Sequence, residues 1–304
     1  MGLTIAAGIT HIVLDILFIP ILGMGIEGAA TASVICMIVA GVPPIFMFMK
    51  KSQRLHFQKP ALKLRDLAFS MANGSSEMVT NLATAITTML FNIQMMNLVG
   101  EKGVAAISAV LYVESLFIAV FMGFSTGSAP LFSYHFGAKN KMQLSKLFRI
   151  SMLVIGVSSV AMFTIAEVLS YPIIHAFAGH DQMLMDIALH GLRIFSFSYL
   201  LNGLSIFASA LFTALNNGVI SAVISMVRTL IFRCSGLLLL PILWGIDGVW
   251  IAVPLAEIFA ATLSVVLLMK FRKRYGYAGV ILEEDSDQEI NEKNGTVALQ
   301  AELR

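Results

Sequence analysis

Charge is scarce in this sequence. Asp, Glu, Lys and Arg make up 12% of its 304 residues, against 58% hydrophobic, and the mean hydropathy is +0.84. Soluble domains carry roughly twice that charge, so in water this chain would leave too much apolar surface uncovered, which excludes an ordinary cytosolic enzyme. Cysteine is scarcer still: Cys36 and Cys234 both lie inside apolar runs, so neither a disulfide framework nor a cysteine metal centre is available. The net charge is only +2 and the basic residues fall in blocks between apolar segments, so no basic face forms for nucleic acid. Also missing are an HExxH pair, a dinucleotide fingerprint and a Walker loop, and the lack of the last argues against an ATP-driven pump on this chain. One enzyme-like string remains, Gly123-Phe124-Ser125-Thr126-Gly127. The hydrolase elbow needs a strand-to-helix turn, whereas this copy lies in an apolar helix, where it fits small-residue packing. His175, His180, Asp181, Asp186 and His190 gather at one connection and read as a solvated rim rather than a metal site. No enzymatic activity, resident cofactor, metal or protein partner is predicted.

What is there is long apolar sequence. Windows of about 20 apolar residues span a bilayer as helices, and eight are found, at roughly 3–22, 28–49, 68–97, 103–131, 149–172, 186–214, 218–243 and 246–269. The predicted fold is an all-α integral membrane protein. Lys50, Lys51, Arg54, Lys59, Lys63 and Arg65 sit between the second and third windows. Lys139, Lys141, Lys146 and Arg149 lie near a loop at 135–148, and Lys270, Arg272, Lys273 and Arg274 follow the eighth window. Cytoplasmic loops hold such excesses, and the intervening connections are neutral or acidic, so the spans alternate with both termini cytoplasmic in the cell membrane. The first window has no basic leader and contains Asp15, unlike a cleaved signal peptide.

An internal repeat organises the spans. Pro20-Ile21-Leu22-Gly23-Met24-Gly25-Ile26-Glu27-Gly28-Ala29-Ala30 recurs as Pro241-Ile242-Leu243-Trp244-Gly245-Ile246-Asp247-Gly248-Val249-Trp250 with one residue dropped, first between helices one and two and again between seven and eight. The period is therefore six helices, an arrangement common in secondary transporters. On this reading residues 1–49 are the last hairpin of one lobe and 50–66 a cytoplasmic interlobe linker. Residues 67–271 form a complete six-helix lobe, and 272–304 a disordered cytoplasmic tail.

Polar residues inside the spans are the candidate site, because charge in hydrocarbon usually faces a cavity or a partner. In the third helix Glu77, Asn81, Thr84, Thr88 and Asn92 fall on one face, and in the sixth Ser198, Asn202, Ser205, Ser209 and Thr213 repeat the spacing. The stripes could line a wet path or hydrogen-bond between packed helices. His11 and Asp15, four apart, could relay a proton or simply satisfy each other. Glu114 and Glu257 are similar candidates, and Arg228 and Arg233 would compensate buried carboxylates.

Several stretches resemble the multidrug and toxic compound extrusion (MATE) family. They are Ile12 to Ile19 with Gly23 to Ala30, Gly103 to Ala106 with Leu111-Tyr112-Val113, and Gly127 to Lys139. Ser225 to Arg228 and Gly245 to Trp250 complete the set. The resemblance implies two six-helix lobes and export of organic, often cationic, amphipathic compounds in exchange for Na⁺ or H⁺. It places Glu77 where many members have a carboxylate tied to ion and drug binding. The sixth helix, matching the family's tenth, carries Tyr199 and Asn202 but no acid there. Because the match begins at the family's fifth helix, the chain is expected to be an N-terminally truncated member with little transport of its own. Its partners would be organic cations and the lipid bilayer. A lipid-linked oligosaccharide flippase of related architecture and a non-transporting membrane scaffold are the alternatives.

Overall fold

The structure, a computed structural model, describes residues 2–49, 63–179 and 181–277, apart from the side chains of residues 66, 69, 72, 73 and 75–77. Among the described residues every regular element is a helix. We label these α1 (Gly2–Ile21), α2 (Gly25–Met49), α3 (Leu64–Leu98), α4 (Glu101–Gly137) and α5 (Lys141–Val168). There follow α6 (Ser170–Ala178), α7 (Gln182–Ser196), α8 (Tyr199–Ala214), α9 (Gly218–Trp244) and α10 (Ile246–Tyr275). They fall into two compact units, residues 1–63 and residues 64 onward.

The first unit is the hairpin α1–α2. Pro20 has no amide hydrogen to give, and over Leu17–Ile21 the ladder widens into π turns before the chain reverses through Gly23 and Gly25, both at positive φ. His11 Nδ1 lies 3.3 Å from Asp15 Oδ2, and His11 Nε2 lies 3.1 Å from Ser33 Oγ on α2. Ile5, Ile9, Ile12 and Ile16 make one helical face, and each is more than half exposed.

In the second unit the helices bury small and polar residues and turn large apolar ones outward, as bilayer helices do. On α5, Ser145, Ser151, Ser159 and Ala166 are buried while Ile150, Leu153, Val157 and Val160 are exposed. Helix α8 sits at the centre, packed against α4, α5, α9 and α10. Two apolar clusters flank it, one around Trp250, Phe195 and Ile107, the other around Phe121, Phe207 and Phe212.

Six helices, α1, α2, α4, α5, α9 and α10, are long and apolar enough to cross a bilayer, and α7 with α8 passes as a pair bent by 55°. That gives six or seven apolar spans where the sequence predicts eight. Each predicted window holds a helix, but α3, with 35 residues, fails on hydropathy because of its own polar stripe. The sixth window is broken at Phe197–Ser198 without a proline. There the Ser196 hydroxyl reaches Glu167 Oε1 (2.5 Å) and Arg193 O (2.7 Å), while Ser198 donates to Phe195 O (2.7 Å), diverting carbonyls from the helical ladder.

Three boundaries differ from the sequence reading. The loop expected over 135–148 shrinks to a turn between Gly137 and Lys141, capped by Asn140, whose side chain accepts from Gln143 N (3.1 Å). Helix α10 continues through Arg272, Lys273 and Arg274 to Tyr275. Beyond it Tyr277 packs its ring 4.8 Å from that of Phe148 and donates to Leu268 O, so the ordered chain runs past 272. The glycines of the Gly123–Gly127 string have open space at their Cβ positions, so no close helix packing occurs there. Residues 50–62 of the expected linker, His180 and residues 278–304 lie outside the described residues.

At one end of this unit Asp181 caps α7, accepting from Met183 N (3.0 Å) and Leu184 N (3.2 Å), and pairs with Lys102 (2.7 Å). The hydrogen bond from Lys102 holds its carboxyl below the usual carboxylate range. His190 meets Asp247 at 2.8 Å. Members of the expected histidine–aspartate rim are thus engaged in pairs.

Candidate functional site: a polar cavity with a buried charge cluster

The site is organised by the backbone of α9. Over Met226–Arg233 this helix adopts π turns, closed by i→i+5 bonds. In a regular α-helix residues five apart point about 140° away from each other at 3.6 residues per turn. The wider turn brings them nearly above one another, and so Arg228 and Arg233 reach toward the same partners. Arg233 Nη2 donates to Glu114 Oε1 on α4 at 2.8 Å and lies 3.8 Å from Glu257 Oε1 on α10. Arg228 Nη1 is 4.0 Å from the same Glu257 oxygen. With its amide nitrogen turned toward the carboxylate, Asn202 of α8 donates to both Glu257 oxygens, at 2.7 and 3.0 Å. Four helices thereby contribute to one cluster of two cations and two anions. Glu257 is its most enclosed member, with a side chain 1% exposed, and Arg228 its most open, at 14%.

Two cavities adjoin this cluster within the second unit. The larger, about 570 Å³, is lined by Asn81, Thr84, Thr88 and Asn92 of α3, by Ser108, Tyr112, Glu114 and Ser115 of α4, and by Arg228, Thr229 and Arg233 of α9. The smaller, about 420 Å³, is lined by Ser125, Thr126 and Ser133 of α4, Ser209 and Thr213 of α8, and Ser221, Ser225 and Arg228 of α9. Thr80, Met122 and Arg228 line both. In the smaller cavity the hydroxyls form a network: Ser209 lies 2.8 Å from Ser221 Oγ and 3.0 Å from Ser225 Oγ, and Thr213 donates to Ser221 at 2.7 Å.

The sequence-derived residues distribute unevenly over this geometry. The α3 stripe faces the larger cavity from Asn81 to Asn92; Glu77 is on the same helix, with its side chain outside the described residues. The α8 stripe divides. Ser209 and Thr213 line the smaller cavity, but Ser198, Tyr199, Asn202 and Ser205 are fully buried and line neither, because α8 is surrounded by other helices. Asn202 there serves Glu257 instead. Glu114 and Glu257 do meet the arginines, and His11 and Asp15 pair with each other in the first unit. Sequence reasoning missed Thr229 and Ser125. A five-residue spacing of two arginines in an apolar helix was the available signal, since both can face inward only if the helix widens.

Buried polar atoms without a partner mark where something polar can be received. Thr229 Oγ1, Arg233 Nε and Asn92 Oδ1 in the larger cavity and Ser125 Oγ in the smaller are such atoms. The arrangement can bind a polar or charged solute inside the bundle. Among the described residues it offers no nucleophile paired with a base.

Comparison with known proteins agrees with this architecture. The chain is 24% identical over 278 residues to the multidrug export protein MepA of Staphylococcus haemolyticus, covering 90% of this chain and 60% of the relative. It is 22% identical over 281 residues to the protein of the same name from Staphylococcus aureus strain N315, with the same coverages. Among solved structures, the outward-facing conformation of a multidrug resistance MATE family transporter of the MOP superfamily superimposes with a TM-score of 0.79 at 19% identity. It covers 88% of this chain and 61% of that one. A MOP superfamily transporter from Pyrococcus furiosus, described as having a binding pocket of reverse polarity, gives 0.77 at 20% identity, with 88% and 60% covered. The chain thus spans about 60% of the length of these relatives. The MatE family model matches residues 78–235, a segment that contains α4 to α8 entire and both arginines of α9, and by that match, which takes in half of its length, the chain belongs to the MatE family.

Proposed function

We propose that this chain is part of a secondary active exporter that moves organic, often cationic, amphipathic compounds out of the cell in exchange for Na⁺ or H⁺, and that it has little transport of its own. One observation carries the reading: a cavity of about 570 Å³ between α3, α4 and α9, lined by hydroxyl and amide side chains and bordered by buried ion-paired charges. Its volume falls in the range that accommodates drug-sized compounds, and charge inside a membrane bundle marks solute or ion paths. The relatives named for multidrug export support the same reading. Coupling falls to Glu77 on the α3 stripe. Glu114 and Glu257, engaged by arginines and Asn202, act as structural counterions, and His11 with Asp15 is a second candidate relay.

The test is dye efflux from energised vesicles carrying the full-length parent. Glu77→Gln keeps the shape of the side chain and removes its titratable charge, so insertion should be preserved while gradient-driven efflux is lost. Efflux at the unaltered rate would remove Glu77 from the mechanism. Imposing Na⁺ and H⁺ gradients separately identifies the coupling ion. A lipid-linked oligosaccharide flippase would need a more strongly cationic cavity than Arg228 and Arg233 beside Glu114 provide.

A further inference from the structure

Arg228 is the one member of the charge cluster that makes no hydrogen bond among the described residues. Its nearest carboxylate oxygen, on Glu257, is 4.0 Å away, and that carboxylate already accepts from Asn202 at 2.7 and 3.0 Å with Arg233 at 3.8 Å. The guanidinium lines both cavities. Beside it on the same turn, Thr229 is 4% exposed with an unpartnered buried hydroxyl, and Arg233 has an unpartnered buried Nε; both residues line the larger cavity. Three donor-bearing residues on one stretch of backbone thus border the larger cavity, two of them with unpartnered donor atoms, and the described ionisable wall of that cavity holds two cations against the single carboxylate of Glu114.

We propose that Arg228, with Thr229 and Arg233, forms an anion-binding subsite that takes the carboxylate of an amphipathic compound whose apolar body lies along the larger cavity. A planar guanidinium fork matches a carboxylate with two parallel N–H···O bonds. The hydroxyl supplies a third donor, which a buried anion requires to offset its lost hydration. The wall beyond the charges is apolar, with Phe91, Leu111 and Ile118, so a bare inorganic ion would leave most of the volume unfilled. The inference deepens the export reading by adding an acidic group to the compounds the site receives. It rests on that reading only for the direction of movement, because binding is measured here without transport.

The test uses the full chain in detergent or nanodiscs and titrates pyrenebutyrate against its uncharged isostere, pyrenebutyramide, by fluorescence. The acid should bind at least about tenfold more tightly than the amide, the effect of hydrogen bonds to a charged group. Removing Arg228 alone would leave Glu257 in a changed field, so the informative variant is Arg228→Gln combined with Glu257→Gln, which keeps the cluster neutral; in it the acid and the amide should bind alike. Thr229→Val, which keeps the shape, should weaken the acid roughly threefold or more and leave the amide unchanged. Equal affinity for acid and amide in the unaltered chain, or undiminished preference in the double variant, would overturn the subsite. Competition of millimolar inorganic phosphate with the pyrene acid would assign the donors to free ions and overturn the amphipathic ligand. Failure of efflux by the full-length parent in vesicles, with acid binding intact, would strike the export reading alone.

Discussion

At the scale of single residues, the buried cluster is where substitution should matter most. Among the described residues Arg233 is the only guanidinium within hydrogen-bond distance of Glu114, and both side chains are at least nine-tenths buried. Removing one partner of a buried pair leaves an uncompensated charge, whereas replacing both with apolar groups of similar volume is close to neutral. Arg233→Met should therefore cost about 3–5 kcal/mol, read as a drop in thermal unfolding temperature in detergent, and Glu114→Met added to it should restore most of the loss. A double variant no better than the single one would show that Arg233 is held by something other than Glu114. These charges were legible in the sequence as candidates, because any ionisable residue inside an apolar window is conspicuous. Their pairing was not. Glu114 and Arg233 are 119 positions apart, and periodicity alone places Arg228 and Arg233 on different helix faces.

At the scale of elements, close approach between helices depends on residues without side chains. A Cβ at Gly191 on α7 would stand 2.5 Å from the ring of Trp250, which is fully buried on α10. Gly191→Ala should force that ring aside at a cost of about 1–3 kcal/mol, the usual penalty for overpacking. Gly156 on α5 has nothing within 4 Å, so Gly156→Ala, which favours helix by up to about 1 kcal/mol, is the matched control. Equal unfolding temperatures for the two variants would refute the contact. The sequence placed a helix in every predicted window because apolar length is a strong signal. It gave no sign of the 55° bend between α7 and α8, where serine hydroxyls rather than a proline or glycine disturb the ladder. Nor did it foresee that α8 would be enclosed on several sides, which is why Ser198, Asn202 and Ser205 of its polar stripe lie buried instead of facing a cavity.

For the whole molecule, the distribution of Lys and Arg predicts an orientation that labelling can check. Cysteine placed at Gln53 or Gln58, in the basic connection before α3, should resist an impermeant thiol reagent on intact cells and react once they are opened. Labelling from outside would invert the orientation and, with it, the direction of export. The charge cluster carries a further implication, one of time. Chains emerge from the ribosome N-terminal end first, so when α9 arrives with Arg228 and Arg233 the only acid of the cluster already made is Glu114 on α4. Glu257 follows only with α10. An arginine in hydrocarbon without a counterion is costly. Helix α9 is therefore a late and conditional entrant to the bilayer: it can settle against α4 with one positive charge in excess, and the bundle becomes electrically neutral at this point only when the last helix is in place.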